Sequence, residues 1–119
     1  MFHLSLPVDR YQECIAFYRS CFDARIVELT PTAANIFAFG AQITLHDAPS
    51  SPLSGTARTQ LHFGPVVPPE DWFAMRDRLI TAGHRLLKCV DPDHSSGKRG
   101  KFVVADPSGN LIEVNSTLA

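Results

Sequence analysis

Four short stretches of this 119-residue sequence set polar, potentially ligating side chains at alternate positions: His3 and Ser5; Gln42, Thr44 and His46; Gln60 and His62; Glu113 and Asn115, with Leu111 on the same face as the last two. The residues between or beside them are apolar: Phe2, Leu4 and Leu6; Ala41, Ile43 and Leu45; Leu61 and Phe63; Ile112 and Val114. Successive side chains of a strand point to opposite faces, so each stretch reads as a strand with one face for a core and one turned away from it. On those outer faces His3, His62 and Glu113 offer two imidazoles and a carboxylate. That set suits a divalent first-row metal, and three protein ligands leave coordination positions open for a substrate. The plainer alternative is three solvated strand residues. It loses ground because the three fall at matching places in a repeat.

Two successions of elements must position these residues. Phe2 to Val8 alternates as a half-buried strand. Asp9, with Gln12 three places on, is expected to cap a helix whose Cys14, Phe17, Tyr18 and Cys21 form one apolar stripe. Strands are expected at about 24–29, 34–39 and 41–47. After a turn-rich stretch holding Pro49, Pro52 and Gly55, a strand over 59–66 begins the pattern again. Pro68 and Pro69 introduce a second helix with Trp72, Met75, Leu79 and Ala82 inward, and Gly83 stops it. Strands follow at about 85–91, 101–106 and 110–115. The expected organisation is a single domain of module one (about 1–47), a linker (48–58) and module two (about 59–115), each module β-α-β-β-β.

Landmarks in the halves correspond. His62 follows His3 by 59 residues, and Gly109 follows Gly40 by 69. The difference falls in a longer loop of module two, 91–100, with sequence DPDHSSGKRG. With two glycines, two serines and no apolar anchor, this loop reads as a mobile flap whose His94, Lys98 and Arg99 close over an anionic substrate. Such self-similarity points to duplication of one supersecondary unit.

Composition narrows the partners. A net charge of −1 gives no electrostatic reason to expect nucleic acid or an anionic membrane. No apolar run approaches the roughly 20 residues that cross a bilayer. The opening MFHLSLPVDR lacks the basic start and small-residue cleavage site of a signal peptide, so a cytoplasmic location is expected. Cys14 and Cys21 sit about 10 Å apart on one expected helix. Their separation exceeds the roughly 7 Å a disulfide spans, so buried reduced thiols are expected.

The segments FHLSLPV, AFY, LHFG and above all DPSGNLIEV resemble the vicinal oxygen chelate superfamily, which includes glyoxalase I, bleomycin-resistance proteins and type I extradiol dioxygenases. The resemblance covers nearly the whole chain. It implies an α+β fold of two βαβββ modules forming a pseudo-twofold, incomplete barrel around a metal cleft. It also implies metal ligands at His3, His62 and Glu113, a small-molecule substrate and a homodimer. Four-ligand members of the glyoxalase I kind carry a Glu or His where this chain has Thr44. A three-ligand site resembles the two-histidine, one-carboxylate triad of iron(II) oxygenases instead. Iron(II) is therefore favoured over manganese, zinc or nickel, and an extradiol-dioxygenase-like enzyme over a lyase. His46 and His94 are the candidates for acid–base catalysis. The alternative is a small-molecule binding protein of the bleomycin-resistance kind.

Overall fold

The computed structural model describes residues 1–49 and 60–118. The expected linker therefore lies outside the described residues apart from 48 and 49, as does residue 59. The chain runs β1 (Phe2–Val8), α1 (Tyr11–Phe22), β2 (Arg25–Thr30), β3 (Ala33–Ala38), β4 (Ala41–Asp47), then β5 (His62–Phe63), β6 (Val66–Val67), α2 (Pro69–Thr81), β7 (Lys88–Val90), β8 (Lys101–Ala105) and β9 (Leu111–Ser116). Two mixed sheets result, ordered β1-β4-β3-β2 and β5-β9-β8-β7, with β6 also on β9. The fold is α+β, two βαβββ modules as the alternation implied.

Register confirms the repeat at single-residue resolution. His3 pairs with Gln42 across parallel β1 and β4, and His62 pairs with Leu111 across parallel β5 and β9. Asn35 pairs with Thr44, as Val103 pairs with Glu113. The turns before β4 and β9 both place a glycine at positive φ, Gly40 at 70° and Gly109 at 85°.

One hydrophobic core joins the modules. It includes Leu6, Val8, Phe17, Tyr18, Ile36, Ile43 and Leu45 from the first and Trp72, Leu79, Phe102, Val104, Ile112 and Val114 from the second. Trp72 is fully buried, and its indole N–H donates to the Val114 carbonyl (3.1 Å). A buried aromatic of this size contributes about 2–3 kcal/mol through apolar area alone.

The DPSGN turn ties the modules together. Asp106 accepts hydrogen bonds from the backbone of Ser108 (2.9 Å) and Asn110 (2.9 Å), from Asn110 Nδ2 (3.0 Å) and from the Tyr18 hydroxyl (2.8 Å). Ser108 Oγ in turn accepts the backbone N–H groups of Asp9 (3.2 Å) and Arg10 (3.1 Å), just ahead of α1. This corrects the expected Asp9–Gln12 capping box. Arg10 occupies the N-cap without a side-chain bond, and a serine nearly a hundred residues away supplies the acceptor.

Other elements are shorter or more broken than their patterns suggest. The strand expected over 59–66 splits at Gly64–Pro65. Leu61, expected to face inward, is 51% exposed ahead of β5, and Ala82 lies beyond the end of α2 as its exposed C-cap. The strand expected over 85–91 keeps only Lys88–Val90. The loop 91–100 is anchored at its base: Gly100 is buried against Pro92 and Trp72, and Asp93 and Lys98 exchange two backbone hydrogen bonds of 2.9 Å. Cys14, Cys21 and Cys89 are free thiols; the first two are buried and the third exposed. Burial pushes the Cys14 thiol up to about 11.

Candidate functional site

Of the residues expected to hold a metal, the fold brings His62 and Glu113 together. His62 lies at the start of β5 and Glu113 at the third position of the adjacent β9, and Nε2 stands 3.6 Å from Oε2. His62 Nδ1 is 2.9 Å from the Gln60 carbonyl. A carbonyl only accepts, so Nδ1 carries a proton and Nε2 is the nitrogen that faces Glu113, an ion-pair donor in the protonated ring and a ligand in the neutral one. The carboxylate is divided in a complementary way. Its Oε1 takes Asn115 Nδ2 (3.0 Å) and Lys101 Nζ (3.4 Å), leaving Oε2 toward the imidazole.

The environment sets the charge of Glu113. Burial pushes its carboxyl up, but the Asn115 amide, the Lys101 ammonium and His62 outweigh that and hold it below its ordinary value of 4.5. Gly64 makes the approach possible. A Cβ there would lie 2.0 Å from the Glu113 carbonyl oxygen, so no side chain fits between β9 and the turn after β5.

His3 stands apart from this pair. Its Nδ1 is 3.3 Å from Gln42 Nε2 on its own sheet. Among the described residues no three His, Cys, Asp or Glu side chains lie close enough to share a metal ion. As oriented, the Gln42 amide N–H donates to Nδ1 and leaves the proton on Nε2. With the amide turned over, Oε1 would accept from Nδ1–H and free Nε2 as a ligand. One chain thus fits a metal with two donors, and His3 lies on the other module.

Thr44, at the place that answers Glu113, is buried and donates its hydroxyl to Asn35 Oδ1 (2.7 Å). His46 is exposed at the far end of β4, four residues and ~13 Å along the strand from Gln42. His94 is exposed, and its Nδ1 is 3.2 Å from the Leu118 carbonyl, beyond the end of β9 opposite His62. Neither adjoins the His62–Glu113 pair within one chain.

Two residues of this face escaped the parity argument. Lys101 and Lys88 both point to the Glu113 side of the second sheet, through β8 and β7. The signal was available: Lys101 and Val103 flank the buried Phe102, and the alternation of β8 sets them opposite the core. A cavity of about 320 Å³ lies here, lined by His62, Leu87, Lys88, Val103, Leu111 and Glu113.

Residues 1–114 match the profile of the Glyoxalase/Bleomycin resistance protein/Dioxygenase superfamily. The chain belongs to this superfamily. Solved structures agree on the fold. A glyoxalase/bleomycin resistance protein/dioxygenase from Alicyclobacillus acidocaldarius is 18% identical with a TM-score of 0.77, over 100% of this chain and 92% of that one. A lactoylglutathione lyase from Agrobacterium tumefaciens is 18% identical with a TM-score of 0.75, over 99% and 93%. The fosfomycin resistance protein of Listeria monocytogenes, in a complex with Mn(II) and sulfate, is 18% identical with a TM-score of 0.75, over 98% and 89%. No protein with a curated description matches significantly.

Proposed function

We propose that this member of the superfamily is a homodimeric metalloprotein acting on a small molecule, with each metal site made of His62 and Glu113 from one chain and His3 from the other. The oriented His62–Glu113 pair carries the reading. A carbonyl that fixes the imidazole tautomer and an amide that holds the spare carboxylate oxygen are what metal ligands need from their neighbours. The second chain is supported by two sheet edges that no other described strand covers: β1 with Phe2 68% exposed, and β5–β6 with Leu61 51% and Val66 62% exposed. Unpaired edges bearing apolar side chains invite another chain.

A divalent ion held by these three residues supplies Lewis acidity and vacant positions for substrate oxygens. His62 and Glu113 hold one side, and Lys101 and Asn115 keep the carboxylate ionised. The Thr44 hydroxyl is not a base that could take up a substrate proton, and its own proton is committed to Asn35, which disfavours isomerisation of the lactoylglutathione kind. Extradiol cleavage of a catechol, with both atoms of dioxygen entering the ring-opened product, is the reaction class we infer, with iron(II) as the metal. His46, sharing the Thr44 face, is the retained candidate for proton transfer.

Equilibrium dialysis against zinc, manganese or iron(II) tests the site. About one ion per chain is expected, with most of the affinity lost in His62→Ala. Metal content unchanged in that variant would remove the site. A second reading, a metal-free binder of the bleomycin-resistance kind, is favoured by one observation: Lys101 already neutralises Glu113 at 3.4 Å. Anaerobic iron-loaded protein mixed with catechols and then exposed to oxygen separates the two. Ring-opened product is expected, and catechol binding without turnover would favour the binder.

A further inference from the structure

Lys88, Val103 and Glu113 form one row across three neighbouring strands, because Lys88 pairs with Val103 and Val103 with Glu113. Directly paired residues share a sheet face, so the Lys88 and Glu113 side chains rise from the same surface two strand spacings, about 10 Å, apart. The cavity of about 320 Å³ occupies the space over this row, with His62 and Glu113 at one end, Lys88 at the other, and Leu87, Val103 and Leu111 between. Its size lies at the lower end of small-molecule sites.

The two lysines of this face differ. Lys101 is paired with Glu113. Lys88 lies in no ion pair among the described residues: the salt bridges there engage Arg10, His62, Arg76, Arg78 and Lys101. The cavity therefore has an uncompensated ammonium at its outer end, an apolar middle and a carboxylate–imidazole pair at its inner end. A ligand matching all three is a small organic anion: a carboxylate or phosphonate head, a compact apolar body about one ring across, and oxygen donors at the far end.

We infer that Lys88 is the residue that selects an anionic substrate, by binding the headgroup opposite the His62–Glu113 end. The inference deepens the proposed function and rests on its placement of the reacting end. An ammonium donates in any direction about its axis, so Lys88 accommodates planar carboxylate and tetrahedral phosphonate alike. Lys88 is on the edge strand β7, where a longer or shorter head is tolerated without repacking the core.

The test is calorimetric titration of zinc-loaded protein, which binds without turning over, with 3,4-dihydroxybenzoate and with neutral catechol. The wild type is expected to hold the acid about ten-fold more tightly than catechol. Lys88→Met should erase that preference and Lys88→Arg should keep most of it, while Arg19→Met, on the exposed side of α1, should change nothing. Repeating the titration with 3,4-dihydroxyphenylphosphonate asks whether the head is read as charge. A similar preference, again lost in Lys88→Met, supports the ammonium as a general anion site. Equal affinity of wild type for acid and catechol overturns the inference, as does a preference that survives Lys88→Met or no binding of either ligand. These outcomes are separable from failure of the metal reading. Zinc retained with no anion preference removes only the role of Lys88; zinc absent with a Lys88-dependent preference removes only the metal.

Discussion

On the first sheet, the position 69 residues before Glu113 is Thr44, 6% exposed and bonded to Asn35; on the second, Glu113 divides its oxygens between Asn115 and Lys101 on one side and His62 on the other. The register around the two positions is the same. The histidines differ too: His62 is oriented by a backbone carbonyl, whereas His3 meets an amide that can turn over. Duplication has kept the strand pairing while ligating power has concentrated in the second module. In the proposed site the first would contribute one imidazole and a plain polar wall. An unequal division of this kind leaves one side of the site open.

The largest effect should come from breaking the close approach that only the second module has. Gly64 answers Ser5 in the repeat, yet a Cβ on Gly64 would lie 2.0 Å from the Glu113 carbonyl oxygen, while Ser5 is exposed. Gly64→Ala is expected to lower stability by about 2–4 kcal/mol and Ser5→Ala by less than about 0.5 kcal/mol. Denaturant unfolding of both variants measures this, and equal small losses would deny that the approach matters.

Next, Thr44→Glu would make the modules alike. Burying a carboxylate beside Asn35 should lower stability by about 2 kcal/mol. In a shared cleft it should also tighten nickel or zinc binding by supplying a fourth ligand. Unchanged metal affinity in a folded variant would mean that Thr44 does not face the metal.

Tyr18→Phe removes one of four donors from Asp106 and is expected to cost about 1 kcal/mol in thermal unfolding, since the other three remain. The smallest effect concerns charge. The Glu113 carboxyl sits below 4.5, so it contributes stability above that pH that is lost as pH falls through the lower folded value. Asn115→Ala should shrink that contribution, and Glu113→Gln should flatten stability over the same acid window in pH-dependent unfolding.

Much of this was legible in the sequence because it is periodic. Alternation put His3, Thr44, His62 and Glu113 on outward faces, and the offsets of 59 and 69 residues match the observed pairings. What escaped is non-local. Parity assigns a residue to a face but does not say which faces meet, so it left open whether His3 joins the His62–Glu113 pair within one chain or across two; among the described residues of one chain no three such side chains cluster. The helix cap comes from Ser108, a contact no local pattern encodes. Pro65 removes a donor from the strand expected over 59–66, and the Gly64–Pro65 step breaks it into two. Lys88 became visible only once β7 was in register with β8.

Subunit complementation tests the shared site most directly. His3→Ala and Glu113→Ala proteins, each expected to bind no metal, would be unfolded together in equal amounts, refolded and analysed for bound zinc. If His3 of one chain serves His62 and Glu113 of another, half of the dimers are mixed and each rebuilds one of its two sites, so metal content should return to about a quarter of the wild-type value. Zinc remaining at the level of the separate variants, with dimers shown to have exchanged, would contradict the account.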